Sequence, residues 1–353
     1  MDGPRVAVVG AGAWGTTLAR MIARVEPVTL LCHSPETAAR IRETGRNEAR
    51  LPGVALPAGV VATAEASALS DATDLVLFAA PSAHLRSVVA SVGALLDPGA
   101  DLLSVVKGLE RDTLLRMSEV IAEAANVPIA RIAALSGPNL AAEVARNLPA
   151  SAVIAARDLA LAERVVTRLA RRRFRMYVNE DILGVELCGA LKNIVAIAAG
   201  AADGLGFGDN GKAGLLTRGL AEMTRLGIAA GANPLTFAGL AGMGDLIATC
   251  GSHLSRNHRL GEELAKGRTW ADIEATLPGT AEGAYTVRAA LALADRLGVE
   301  MPIAREVERA LFEGKSVQRC LVDLLARESK DELADYGRWV ARLDERPGVG
   351  QSH

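Results

Sequence analysis

A doubly wound α/β domain followed by an all-helical domain is the architecture this sequence predicts. Three observations carry it. Short β-branched runs alternate with helical patterns in the first half, strand signals stop after about residue 181, and a glycine-rich turn joins the first strand to the first helix. In chain order, Arg5–Val9 reads as a buried strand. Gly10-Ala11-Gly12-Ala13-Trp14-Gly15 follows, then a helix with Leu18, Met21, Ile22 and Val25 on one face. Further strands are expected at Val28–Cys32, Leu75–Ala79, Leu102–Val106 and Ile132–Leu135, with Ala152–Ala155 and Arg173–Val178 as an appended part of the sheet. Helices are expected at 183–202, 214–230, 257–266, 283–297, 303–312, 316–328 and 331–342, with a small capping arrangement at Thr269–Asp272. The division is therefore 1–181 for the dinucleotide-binding domain, 182–343 for the helical domain and 344–353 for a disordered tail.

The bulk composition bounds the function. The chain has 353 residues, half of them apolar, enough for two domains with real cores. A net charge of -2 argues against general attraction to nucleic acid or anionic membrane. Cys32, Cys188, Cys250 and Cys320 are widely spaced, which reads as free thiols in a reducing cytoplasm. No His/Cys cluster has ligand spacing, so no metal site is expected; His84, His253 and His258 show none. No signal peptide is visible, and the apolar stretch 185–202 reads as a buried helix rather than a membrane span because Lys192-Asn193 interrupts it.

The chemistry-bearing residues lie at strand ends and in that apolar helix. In the glycine turn, Gly10 permits the tight bend, Gly12 lets the backbone approach a pyrophosphate, and Gly15 lets helix and strand pack closely. Following a strand and opening a helix, this is the context that makes the motif a Rossmann-type dinucleotide site, with phosphates at the helix N-terminus. The second strand ends in Cys32-His33-Ser34, without the carboxylate that grips the ribose in NAD enzymes. That leans toward NADP, with His33 or Arg40 attending a 2′-phosphate, against His33 merely stacking near an adenine. Lys192 sits in an apolar run, where desolvation turns a lysine into a usable proton acceptor. Taken alone, the commoner fate is a helix-edge lysine with its head in water. Lys107-Gly108 and Ser136-Gly137-Pro138-Asn139 end two strands, where open sheets bind ligands, though either is also an ordinary loop. Asp245 either pairs with Lys192 or caps a helix. Ser255 is a candidate helix cap with Arg256 beside it to hold a phosphate or carboxylate. The run Arg171-Arg172-Arg173-Phe174-Arg175 reads as a solvated strand edge rather than a nucleic-acid patch.

Together these motifs resemble the soluble NAD(P)-dependent glycerol-3-phosphate dehydrogenases over about residues 5 to 330. The resemblance rests on VVGAGAWGTTLA at 8–19, VVKGLE at 105–110, LSGPNLAAEVA at 135–145, GVELCGALKNIVAIAAGAADGLGFGDN at 184–210, LTRGLAEMTRLG at 216–227, GMGDLIATC at 242–250 and SRNHRLG at 255–261. It implies a helical half of the 6-phosphogluconate dehydrogenase C-terminal type and an active site between the domains. Lys192 then matches the proton acceptor with Asn193 beside it, Lys107 the second lysine touching cofactor and substrate, and Asp245 and Thr249 the polar partners of Lys192. Gly137 and Asn139 match substrate contacts. Ser255, Arg256 and Asn257 match the phosphate grip. Cofactor contacts are implied for Gly10, Gly12, Ala13, Trp14, Gly15, His33, Lys107, Ala141, Arg256 and Glu282. Three positions depart from the pattern: Ala13 and Asn139 stand where serine or threonine is usual, and Glu282 is approached by GTAEG rather than a valine-rich stretch. The resemblance implies a phosphorylated small-molecule substrate, no nucleic-acid or membrane partner, and a reduction feeding phospholipid synthesis; a homodimer is left open. The alternatives are a related two-domain hydroxy-acid dehydrogenase and a catalytically silent nucleotide-sensing paralogue.

Overall fold

The computed structural model describes residues 5–69, 73–277 and 279–328. Eight strands form one sheet: β1 Val6–Val9, β2 Val28–Leu31, β3 Val60–Thr63, β4 Leu75–Phe78, β5 Asp101–Ser104, β6 Ile132–Ser136, β7 Ala150–Ala155 and β8 Phe174–Asn179. The sheet order is β3-β2-β1-β4-β5-β6-β7-β8. Because β1, β2 and β4 are buried at every residue, they can be apolar throughout, as parallel strands covered on both faces are. The helices α1 Ala13–Ile22, α2 Pro35–Thr44, α3 Leu85–Val92, α4 Met117–Ala125, α5 Ala141–Ala145 and α6 Leu159–Leu169 cover the two faces. One core, around Val8, Leu18, Leu30 and Leu77, fills one side; the other, around Val9, Phe78, Leu85 and Val120, fills the opposite side.

Four details differ from the sequence expectation. The first helix stops at Ile22, and Val25 is 71% exposed in the turn behind it, because the chain must extend ahead of Pro27. β3 is an additional strand, at the sheet edge. The sheet is parallel except at β6–β7, which run antiparallel where the appended pair joins; β7 and β8 are again parallel. The arginine run is solvated only in part: Arg172, Arg173 and Arg175 are exposed, but Arg171 turns back to donate to the carbonyls of Arg168 and Ala170, and its Nε and Nη2 are buried.

Beyond Asn179 the described chain is helical: α7 Ile182–Gly204, α8 Gly208–Ala230, α9 Pro234–Ala238, α10 Asp245–Cys250, α11 Arg256–Ala265, α12 Trp270–Thr276, α13 Glu282–Leu297, α14 Pro302–Phe312 and α15 Val317–Leu325. α8 starts six residues earlier than its apolar pattern indicated, while α9 and α10 are too short to show a period. Thr269 does cap α12, accepting from the Asp272 amide. The helix expected at 331–342 and the tail at 344–353 lie outside the described residues.

α7 is the axis of this half. It is long and apolar enough to cross a membrane, yet 94% of its apolar window is buried within the fold. Asp181 caps it by accepting from the Gly184 amide, and the other oxygen of the same carboxylate takes the Asn233 amide and the Thr236 hydroxyl, tying α9 to the start of α7. Glu186 ties α7 to the first domain, accepting from the Ser118 amide and hydroxyl and from Arg116 at 2.6 Å.

Candidate active site

The carboxyl ends of β1, β4, β5 and β6 all open on one cleft, and α7, α11 and α13 form its far wall. The cavity holds about 1100 Å³. At its first-domain wall the glycine turn does what the spacing indicated. Gly10 has φ +116, and a Cβ there would strike the backbone of Ala79 and Ala80. A Cβ on Gly15 would stand 2.0 Å from the Gly10 carbonyl oxygen, so only glycine lets α1 start this close to β1. Gly12, the cap residue of α1, makes no side-chain cap, which leaves the first amides of the helix pointing into the cleft. Asn47, which the sequence reading missed, braces this turn by donating to the Ala11 carbonyl and the Thr16 hydroxyl.

The far wall carries the ionisable groups. Lys192 is 5% exposed, and its Nζ donates to Asp245 Oδ1 and to Thr249 Oγ1, each at 2.6 Å. The helix-edge alternative for Lys192 is thereby replaced by a buried ammonium, held by Asp245 and Thr249 and facing the cleft. Lys107 reaches the same carboxylate from β5, donating to Asp245 Oδ2 at 2.5 Å and to the Gly137 carbonyl at 3.0 Å. Its stem fits because α7 has a glycine, Gly189, where a Cβ would crowd Lys107 Cγ and Ser136 Oγ. Burial pushes Lys107 below the ordinary lysine range, and Lys192 beside it adds to that; Asp245 pulls the other way, and the balance lies at about 8. Burial also opposes ionisation of Asp245, but the two ammoniums prevail and hold its carboxyl below the usual range. A π-turn at Leu240–Gly244 delivers Asp245 into this position at the head of α10.

Several expected contacts move. Asp245 is 1% exposed and stands behind the lysines, off the cleft lining. Gly137 likewise sits behind Lys107 rather than on the cleft wall, its carbonyl turned to the lysine. Asn139 does line the cleft, and both its amide atoms are buried without a protein partner. It does not cap α5, whose N-cap is Leu140. Asn257 donates to Asn193 Oδ1 and accepts from the Gly283 amide, both at 2.9 Å, so its side chain orients Asn193. Ser255 caps α11, its hydroxyl accepting from the His258 amide. Arg256 lines the cleft with its guanidinium laid against Gly279 and without a hydrogen bond or ion pair to the described residues. Burial lowers its pKa from the ordinary arginine value, Arg50 adds to this, and Glu282 opposes it.

Trp14, Ala13, Ala141, His33 and Glu282 also line the cleft. Trp14 packs edge-on against Phe174, and its Nε1 is buried without a partner. Glu282 opens α13 and accepts from the amide and hydroxyl of Ser82 across the cleft, a bridge the sequence reading missed. Burial holds its carboxyl above the usual range against those bonds. The residues around the end of β2 are cationic: Arg40, Arg46 and Arg50 line the cleft with His33. Open helix amides, two orphaned amide atoms on Asn139 and a cavity of this volume fit a dinucleotide. Chemically, the arrangement offers a proton-exchanging amine pair at one place and an anion site at another.

Comparison with known proteins identifies the family of both halves. The description "NAD-dependent glycerol-3-phosphate dehydrogenase N-terminus" matches residues 5–162, and the corresponding C-terminus matches residues 181–322. A glycerol-3-phosphate dehydrogenase [NAD(P)+] of Frankia casuarinae is 46% identical over 93% of this chain and 98% of its own. One from Geobacter metallireducens is 44% identical over 94% and 99%. The crystal structure of glycerol-3-phosphate dehydrogenase from Coxiella burnetii superposes with a TM-score of 0.87 at 36% identity, covering 93% of this chain and all of that one. A ketopantoate reductase-family structure from Ralstonia eutropha, at 18% identity and TM-score 0.57, shares the two-domain fold alone. A glycine turn facing two lysines on one buried aspartate, matched along both domains, makes this chain a member of the NAD-dependent glycerol-3-phosphate dehydrogenase family.

Proposed function

We propose that the cleft interconverts sn-glycerol 3-phosphate and dihydroxyacetone phosphate with Lys192 as the proton-exchanging group. The observation that supports it most is the convergence of Lys192 and Lys107 on Asp245 opposite the glycine turn. NAD(P)H, when bound, supplies the hydride to carbon 2 of the ketone. The chain's own residues do the rest. Lys192 donates the proton to the ketone oxygen in reduction and accepts it from the hydroxyl in oxidation. Lys107 and the remaining N–H of Asn193 stabilise negative charge developing on that oxygen. Asp245 and Thr249 hold the Lys192 ammonium in one direction, so little reorganisation is needed at the moment of transfer. Arg256 and the first amides of α11 hold the phosphate, and their binding energy goes into orientation of the reacting carbon.

For the cofactor, the cationic lining of Arg40, Arg46 and Arg50 beside His33, with no carboxylate at the end of β2, supports a preference for NADP over NAD. Asn139, with both amide atoms free, is read as a contact to the bound ligands. The four cysteines, all free and buried, support a reducing compartment, the cytoplasm.

The test is nicotinamide absorbance with dihydroxyacetone phosphate and each reduced cofactor in turn. Turnover with NADPH exceeding that with NADH is expected. No turnover with either would overturn the assignment; a preference for NADH would overturn the cofactor reading alone.

A further inference from the structure

The loop after α10 and the first turns of α11 bring together three side chains that the sequence spacing did not single out. The candidate ligand atoms of His253, His258 and Glu262 all lie within 4.8 Å of one another. His253 Nδ1 is 3.2 Å from Glu262 Oε1, and His258 Nδ1 is 3.7 Å from the same oxygen. Ligand atoms on a tetrahedral ion with bonds of about 2.1 Å stand about 3.4 Å apart, between these two values. The second observation concerns His258, which is 1% exposed. Its Nε2 lies 2.7 Å from Asp203 Oδ2, a carboxylate that also takes Lys212 Nζ at 2.5 Å. With Nε2 held by Asp203, Nδ1 is the ring nitrogen left for a ligand. That Nδ1 is buried without a hydrogen-bond partner and stands 3.7 Å from the carboxylate oxygen of Glu262. A cation between the two gives His258 Nδ1 the partner it lacks.

We propose that His253, His258 and Glu262 bind one divalent transition-metal ion, zinc by its donor set, with solvent in the fourth position. Two imidazoles and a carboxylate suit zinc or cobalt(II) rather than magnesium or calcium, which take oxygen ligands. Asp203 is the positioning residue: a carboxylate on the far nitrogen of a metal-binding histidine fixes its tautomer and raises its basicity. The site has a consequence for the cleft, and this part rests on the reading of Arg256 as the phosphate grip. His253 and His258 bracket Leu254, Ser255, Arg256 and Asn257, four consecutive residues that line the cleft. An ion joining the two histidines clamps that segment to α11.

The experiment strips the full-length enzyme with a chelator and titrates it with zinc against a competing indicator, with cobalt(II) as the spectroscopic probe. Binding of one ion per chain with the intense visible absorption of tetrahedral cobalt is expected. His253→Ala and Glu262→Gln abolish it while leaving the thermal midpoint of the metal-free protein unchanged; His253 is 82% exposed, so its loss does not disturb folding. Asp203→Asn weakens zinc binding by about 10- to 100-fold. Substoichiometric zinc, six-coordinate cobalt spectra, or tight binding retained by His253→Ala overturns the site. With zinc bound, the KM for dihydroxyacetone phosphate falls several-fold in the parent and not in His253→Ala. An unmoved KM overturns the clamp while leaving the site, and an enzyme inactive on that substrate overturns the functional reading without touching the metal titration.

Discussion

Replacing Lys192 by methionine keeps most of the stem volume and removes the ammonium. A positioned general acid or base contributes about 10²- to 10⁴-fold. At 1.36 kcal/mol per decade that is about 3–5 kcal/mol on the barrier, so kcat is expected to fall by that factor in both directions. The fold should hold. Asp245 keeps Lys107 at 2.5 Å and the Thr249 hydroxyl at 3.1 Å, so no buried carboxylate is left bare. The loss of stability should therefore stay below the roughly 3–5 kcal/mol that follows when a buried charge loses its only partner. A second readout separates a chemical role from a structural one. The Lys192 ammonium is one of the groups holding Lys107 down near 8, so without it Lys107 rises toward the ordinary lysine value. In the parent enzyme, ketone reduction uses the Lys107 ammonium to stabilise charge on the oxygen, and its rate should decline as pH rises through about 8. In the variant the residual rate should keep its plateau to higher pH. Stopped-flow nicotinamide absorbance across pH, with denaturant melts on the same samples, makes the measurement. A kcat within tenfold of the parent, or a residual profile that does not move, refutes the reasoning.

Arg256→Ala is expected to raise the KM for dihydroxyacetone phosphate by about a hundredfold, the loss of two charge-assisted hydrogen bonds, with a smaller change in kcat; an unchanged KM counts against the phosphate grip. Glu222 accepts from the Ile303 and Ala304 amides at the head of α14, but burial dominates and raises its pKa to about 7. Its unfolded value is lower, so it stabilises the fold below about pH 4.5 and that contribution is lost as pH rises through 7, to the extent of about 3 kcal/mol. Glu222→Gln should flatten stability against pH across that window, and urea midpoints at several pH values would show it. Glu186→Ala removes the carboxylate that holds Arg116 and the start of α4 to α7, and should cost about 3–5 kcal/mol by denaturant unfolding; less than 1 kcal/mol would mean that Glu119 alone suffices for Arg116.

The parts of the fold that could be read from the chain are those where burial is continuous. β1, β2, β4 and β5 are followed at once by Gly10, Cys32, Ala79 and Val105, and all four of these residues line the cleft. β3 escaped notice because only Ala62 in it is fully buried, so neither a run nor an alternation emerges. Lys192 and Asp245 were legible as charges in apolar surroundings. Lys107 could be placed at a strand end, but its bond to Asp245 spans 138 residues and leaves no local mark. The same holds for the Ser82–Glu282 bridge, and for His253, His258 and Glu262, whose spacing acquires meaning only once α11 is wound and Asp203 stands behind it. Arg171 misled for a different reason: its charged neighbours face water, and the sequence does not say which member of such a run turns inward.

At their crossing, α7 and α11 approach backbone to backbone. A methyl on Gly200 would stand 1.9 Å from the His258 carbonyl oxygen, and one on Gly261 2.0 Å from that of Ile197. This close seat, with Asn257 bonded to Asn193 and His258 to Asp203 on either side of it, resists sliding of one helix along the other. The amine on the one and the capped end of the other are thus held at a set spacing; with that end as the proposed phosphate grip, a ketone phosphate with an extra carbon between the two groups has to bend to fit.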